Sequence, residues 1–212
     1  MDFATPQVFA NAKDEPDDAD PRIGQKLEIK MCEARYNSDS TRIALHAGTK
    51  RKAWAPAEVN QESALLVTRY YGRLGELEYT EMEVRSPYIR AALRAVIKEY
   101  PGLTFDTGKI LIRDELRCIF HYREELRDYG LRLSDQTAAQ HLIFFLNYMY
   151  NSLTREISSF YTFMESPTAA PGIEHEFLWM AFKPGSFILH SRKGIQRILR
   201  FSSMKLDSFS RW

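Results

Sequence analysis

The sequence predicts an α+β domain, with an antiparallel or mixed sheet from strands near both ends of the domain packed against three helices. Three observations lead there. Strand-like apolar runs occupy residues 26–36, 63–84 and 108–114, and short apolar runs return between 177 and 201. Stretches of helical period lie between them, starting at Ser86, near Asp114 and near Ser134. No segment repeats, which leaves out solenoids and propellers.

The elements follow in order. Residues 1–24, with "KDEPDDADPRIG", are acidic, broken by proline and without periodicity, and are expected to be a disordered tail. "KLEIKMCEARY" alternates Leu27, Ile29 and Met31, as a half-buried strand does. "SDSTRIALHAGTKRKAWAPAEVN" reads as a long loop, or a poorly formed strand and loop, with a basic cluster at Lys50, Arg51 and Lys52. "SALLVTRYYGRLGELEYTEMEV" reads as two strands around a turn at Tyr71–Gly75.

The next segment, "EVRSPYIRAALRAVIKEYPG", has the clearest punctuation. Ser86 is an N-cap and Pro87 stands at the first helical position, where its missing N–H costs nothing. Ile89, Leu93, Val96, Ile97 and Tyr100 form one apolar stripe, and Pro101-Gly102 ends the helix. "KILIRDE" suits a short buried strand. Asp114 is placed to cap a second helix, "ELRCIFHYREELRDYG". A third helix starts at Ser134 or Asp135 and persists to about Ser166, long enough to require a break or kink. "FLWMAF", "SFILHS" and "GIQRILRF" read as three strands, the first buried on both faces around Trp179. The expected division is a tail over 1–24, a single α+β domain over 25–203 and a second tail over 204–212.

Composition narrows the function. A hydrophobic fraction of 44%, with 13 Phe, 11 Tyr and 3 Trp, is ample for a packed core. With 29 basic and 28 acidic residues the chain has no global field for nucleic acid or membrane. Cys32 and Cys118 stand in unlike contexts and read as free thiols in a reducing compartment. There is no signal-peptide pattern, and the most apolar window runs only from Leu142 to Tyr150, short of the ~20 residues a bilayer requires. The expectation is a soluble, intracellular protein, cytoplasmic or nuclear, with no membrane association.

Motifs for chemistry are few. "GLTFDTGKI" approaches a Walker A loop, but the spacing from Gly102 to Gly108 is one residue too long. Ile110 also stands where a hydroxyl should hold magnesium. "HYREE" sets His121 and Glu125 at i, i+4, the weak candidates for metal ligation or acid–base work. Neither cysteine has a partner that suggests a thiolate nucleophile, and no Gly-x-Ser-x-Gly elbow occurs. No catalytic residue and no cofactor are therefore expected. Residues 190–212 are basic with interleaved aromatics, and read as a strand with a basic solvent face rather than a nucleic-acid site.

Four segments carry a resemblance. "EVRSPYIRAALRAVIKEYPG", "LRCIFHYREELRDYG", "LWMAFKPG" and "QRILRFSSM" resemble, in this order, the domain of unknown function that precedes the AAA-type ATPase core in large fungal proteins. The corresponding residues are Ser86-Pro87 and Tyr100-Pro101-Gly102, Arg123 to Leu126, Leu178-Trp179, and Phe182 to Gly185. Family members continue with further strands and the Walker motifs, and this chain stops at Trp212. The resemblance therefore implies a stand-alone or shortened copy of a non-catalytic interaction or regulatory module, whose partner is a protein or a second copy. The missing neighbours would leave the last strand as an open edge, with Arg197, Leu199, Arg200 and Phe201 the candidate partner-binding residues. The alternatives are a small metal-dependent or acid–base enzyme using His121 and Glu125, and a weak nucleic-acid binder through the basic C-terminal segment.

Overall fold

Two rows of apolar side chains cross the main sheet and define its core face. One runs Ile29, Leu65, Val84, Ile110 and the other Met31, Val67, Met82, Ile112, each residue directly opposite the next. The structure is a computed structural model and describes residues 22–36, 40–46, 61–106, 108–113, 116–165 and 172–204. The rows lie on β1 (Lys26–Tyr36), β3 (Ser63–Tyr71), β4 (Leu77–Val84) and β5 (Ile110–Arg113); β2 (Arg42–His46) completes the order β2-β1-β3-β4-β5. Only β1 and β3 run parallel, so the sheet is mixed. The expected tail residues 1–21 and 205–212, the Lys50–Lys52 cluster and the Asp114 cap lie outside the described residues.

The opposite face of the sheet is held by charge. Glu83 pairs with Arg85 and Lys109, Glu81 pairs with Arg113, and Tyr70 stacks on Tyr79 with ring centroids 4.4 Å apart. The chain enters this sheet through Gly24, whose φ is +69°. A Cβ there would come within 2.4 Å of the Arg85 carbonyl, so only glycine fits the approach.

Helices cover the core face. α1 (Pro87–Val96) begins as its sequence predicts, with Ser86 Oγ accepting from the Ile89 N–H and Pro87 in the first turn. Ile89, Leu93 and Ile97 are fully buried, so the helix docks on the apolar rows. It ends at Val96, a turn before Pro101. The second expected helix divides at Tyr122 into α2 (Arg117–His121) and α3 (Arg123–Leu131). The third divides at Leu153 into α4 (Gln136–Ser152) and α5 (Thr154–Met164), as its length required. Asp135 Oδ1 caps α4 by accepting from Thr137 and Ala138. At the break the Thr154 hydroxyl donates to the Tyr150 and Asn151 carbonyls, groups a continuous helix would use itself. Among the described residues no helix is long and apolar enough to cross a membrane.

The C-terminal part differs from expectation in two ways. "FLWMAF" lies in a 3-10 helix, His175–Ala181, and not in a strand. Its Phe177, Trp179 and Met180 are buried as expected, but an unbroken apolar run cannot distinguish a strand from a helical turn. Among the described residues the last two strands, β6 (Phe187–Arg192) and β7 (Ile195–Arg200), pair only with each other and do not extend the main sheet.

Candidate interaction surface

Three elements that meet behind the hairpin are tied by one buried histidine. His121, at the end of α2, has Nε2 2.8 Å from the Trp179 carbonyl oxygen and Nδ1 3.1 Å from the Tyr100 hydroxyl. A carbonyl only accepts, so Nε2 carries the proton, and the Tyr100 hydroxyl donates to Nδ1. Burial pushes the His121 pKa down to about 4, helped by the nearby Lys183, Arg123 and Arg117 cations; its bond to Trp179 works the other way. The ring is neutral, and both nitrogens are occupied.

Glu125, the other half of the expected pair, lies beyond the break at Tyr122 and faces outward to Lys183. The ammonium of Lys183 also sits 3.8 Å from the centre of the Tyr122 ring. The structure therefore does not assemble His121 and Glu125 as a ligand pair, and among the described residues no cluster of His, Cys, Asp or Glu could hold a metal. His141 plays a part like that of His121: it is buried, 2.9 Å from Ser86 Oγ, and also bonded to the Gln25 backbone, so that it joins α1, α4 and the start of β1. Cys32 and Cys118 are buried free thiols whose pKa values burial raises, a poor setting for a nucleophile.

From this platform the hairpin emerges. Pro184-Gly185 makes the turn out of the 3-10 helix region, with Gly185 at φ +88° and the Ser186 N–H bonded to the Lys183 carbonyl. Phe201 anchors the returning strand: its N–H donates to Ser186, its carbonyl accepts from Gly185, and its ring packs on Phe182. At the far end Lys193 and Gly194 both have positive φ, the two-residue turn whose twist suits a hairpin. Between the hairpin base, the end of α1 and Tyr122 lies an open cleft of about 610 Å³, rimmed by Lys98, Pro101, Lys183 and Arg200.

The ribbon itself is bare. Every residue of β7 and all of β6 except Ile188 are exposed. Phe187 keeps 76% of its surface, Ile198 72% and Leu189 64%, with Ile195 and Leu199 also exposed. Paired residues share a face, so one face carries Phe187/Arg200, Leu189/Ile198 and Ser191/Gln196. The other carries Ile188/Leu199, His190/Arg197 and Arg192/Ile195.

Of the sequence-predicted partner residues, Arg197, Leu199 and Arg200 lie on this surface, and Phe201 belongs to its anchor. The contribution of Phe187 and Leu189 was not legible, because an apolar run "FIL" reads equally as a buried strand. Compared with known proteins, the chain matches no family model, no curated protein and no solved structure. A functional reading rests on these residues themselves.

Proposed function

We propose that the chain is a non-catalytic protein-interaction module, with the β6–β7 hairpin as its docking surface and the cleft at the base as the rim of that surface. The observation that carries this reading is the exposure of five large apolar side chains on a two-stranded ribbon that, among the described residues, has no third strand paired to it. Such a hairpin is marginal in water on its own, and neighbouring apolar side chains left bare on a folded protein, as Phe187, Leu189 and Ile198 are on one face, commonly form a contact surface. Among the described residues neither outer edge is paired with another strand, which leaves each a template for strand addition.

The resemblance to the region that precedes the ATPase core in large fungal proteins supports the same reading, since no catalysis is implied for that region. Residues that carry it meet around the cleft: Tyr100, Pro101, Trp179, Lys183 and Gly185 all belong either to the His121 tie or to the hairpin base. Two buried reduced thiols fit an intracellular setting. The enzyme reading has no comparable support, because His121 is neutral with both nitrogens bonded and Glu125 is engaged by Lys183.

The test is photocrosslinking in the cells that make the protein. Benzoylphenylalanine at position 189 should give a discrete adduct with an identifiable protein. The same group at Leu74, still more solvent-facing in the β3–β4 turn, should not. No adduct from positions 187, 189 and 198 would overturn the reading.

A further inference from the structure

We infer that the hairpin's partner is an extended acidic segment that pairs with the outer edge of β7, in which two apolar residues are flanked by carboxylates. This rests on the hairpin being the docking surface, and it specifies the chemistry of what docks.

Charge is the first ground. From Phe177 to Met204 the chain contains no Asp or Glu, yet it carries Lys183, Arg192, Lys193, Arg197 and Arg200. Lys183 is matched by Glu125, as Arg42 is by Glu78, Arg113 by Glu81 and Lys109 by Glu83 in the main sheet. Arg192, Lys193, Arg197 and Arg200 make no ion pair with any described residue. The hairpin thus carries four cations and no carboxylate, on the element whose apolar side chains are also uncovered.

Register is the second. Along β7 the order is Arg197, Ile198, Leu199, Arg200, and no described strand pairs with the edge beyond it. Residues directly opposite across a ladder share a face and interact, favourably for opposite charges and for apolar pairs, unfavourably for like charges. A strand complementary to this edge therefore reads acid, apolar, apolar, acid. A second copy does not, because its β7 has no carboxylate to set opposite Arg197 or Arg200, and the antiparallel register that sets Ile198 opposite Leu199 also sets Arg197 opposite Arg200. Nucleic acid would match the charge but few of the side chains, since Phe187 alone of the five exposed apolar residues offers a ring for a base to stack on, and Leu189, Ile195, Ile198 and Leu199 are aliphatic.

The experiment uses the full chain and three fluorescent peptides that differ only in a central Glu-Val-Ile-Glu, Gln-Val-Ile-Gln or Lys-Val-Ile-Lys, with a single-stranded and a duplex oligonucleotide beside them. The glutamate peptide is expected to bind about tenfold more tightly than the glutamine one at low salt, and the advantage should shrink as salt screens it. Arg197→Glu with Arg200→Glu should reverse the order in favour of the lysine peptide, with an unchanged melting temperature showing that the fold is intact. Equal binding of the glutamate and glutamine peptides would overturn the acidic partner while leaving the hairpin as a docking surface. Tighter binding of an oligonucleotide, or self-association that Ile198→Lys abolishes, would replace the partner with nucleic acid or a second copy. Binding of no peptide would overturn the inference, and a missing photoadduct would then remove the docking surface as well.

Discussion

His121 and Trp179 are joined by a hydrogen bond of 2.8 Å from the imidazole Nε2 to the indole residue's own backbone carbonyl, and their rings meet edge to face at 5.6 Å. The bond crosses from α2 to the 3-10 helix that leads into the hairpin, and the Tyr100 hydroxyl extends it to the segment after α1. A residue that resembles a catalytic or metal-binding histidine in sequence is here the fastening behind a protein surface.

That fastening makes stability depend on pH. The folded His121 takes up a proton only near pH 4, whereas the unfolded chain does so near 6.5. Between these values the unfolded state binds more protons, so stability is full above 6.5 and falls as the pH drops through the window. It levels off below 4, after a total loss of about 3 kcal/mol from this group. His141, also held below its ordinary value by burial, shifts stability in the same direction. Denaturant unfolding at pH 7, 5.5 and 4.5 should show the decline. His121→Gln, which keeps an N–H donor and an acceptor but does not titrate, should flatten it; an unchanged slope would refute the assignment.

Trp179 should be the most costly aromatic to remove from this region. It is 3% exposed, meets Phe120 edge to face at 5.4 Å, and has the Arg117 guanidinium 5.1 Å from its ring centre. Trp179→Ala is expected to destabilise by roughly 3–5 kcal/mol. A variant that melts like the wild type would mean that the core is elsewhere.

The hairpin should behave in the opposite way. Leu189 and Ile198 face each other across the ribbon in water, so the double variant Leu189→Thr with Ile198→Thr, which sets no like charges opposite each other, should change stability by no more than about 0.5 kcal/mol. The same variant should lose the photoadduct from position 187. A large drop in melting temperature would show instead that these side chains are packed.

Mg-ATP should leave the melting temperature unchanged. Ile110, where a phosphate loop needs a hydroxyl, is 1% exposed in β5 and paired with Val84 in the core. The loop before it also leads into a strand, so no helix N-terminus faces it. A ligand bound only by the folded state at 100 times its dissociation constant adds about 2.7 kcal/mol, so a rise of that size would contradict this reading.

By itself the sequence determined the features whose cause lies within a few residues. Ser86-Pro87 and Asp135 start helices because a side-chain oxygen reaches amides two or three residues on. Ile29, Met31, Val67, Met82 and Val84 mark strands because alternation must match a one-sided core. Tertiary structure alone decided what depends on a distant partner. The Trp179 carbonyl of "FLWMAF" finds its partner in His121, 58 residues away in sequence, and the break at Tyr122 sends Glu125 to Lys183 instead of toward His121. The detachment of β6 and β7 from the main sheet was equally out of reach. An apolar, basic strand carries the same local pattern whether its edge is paired within the fold or left for another chain, and only the neighbours in space distinguish the two.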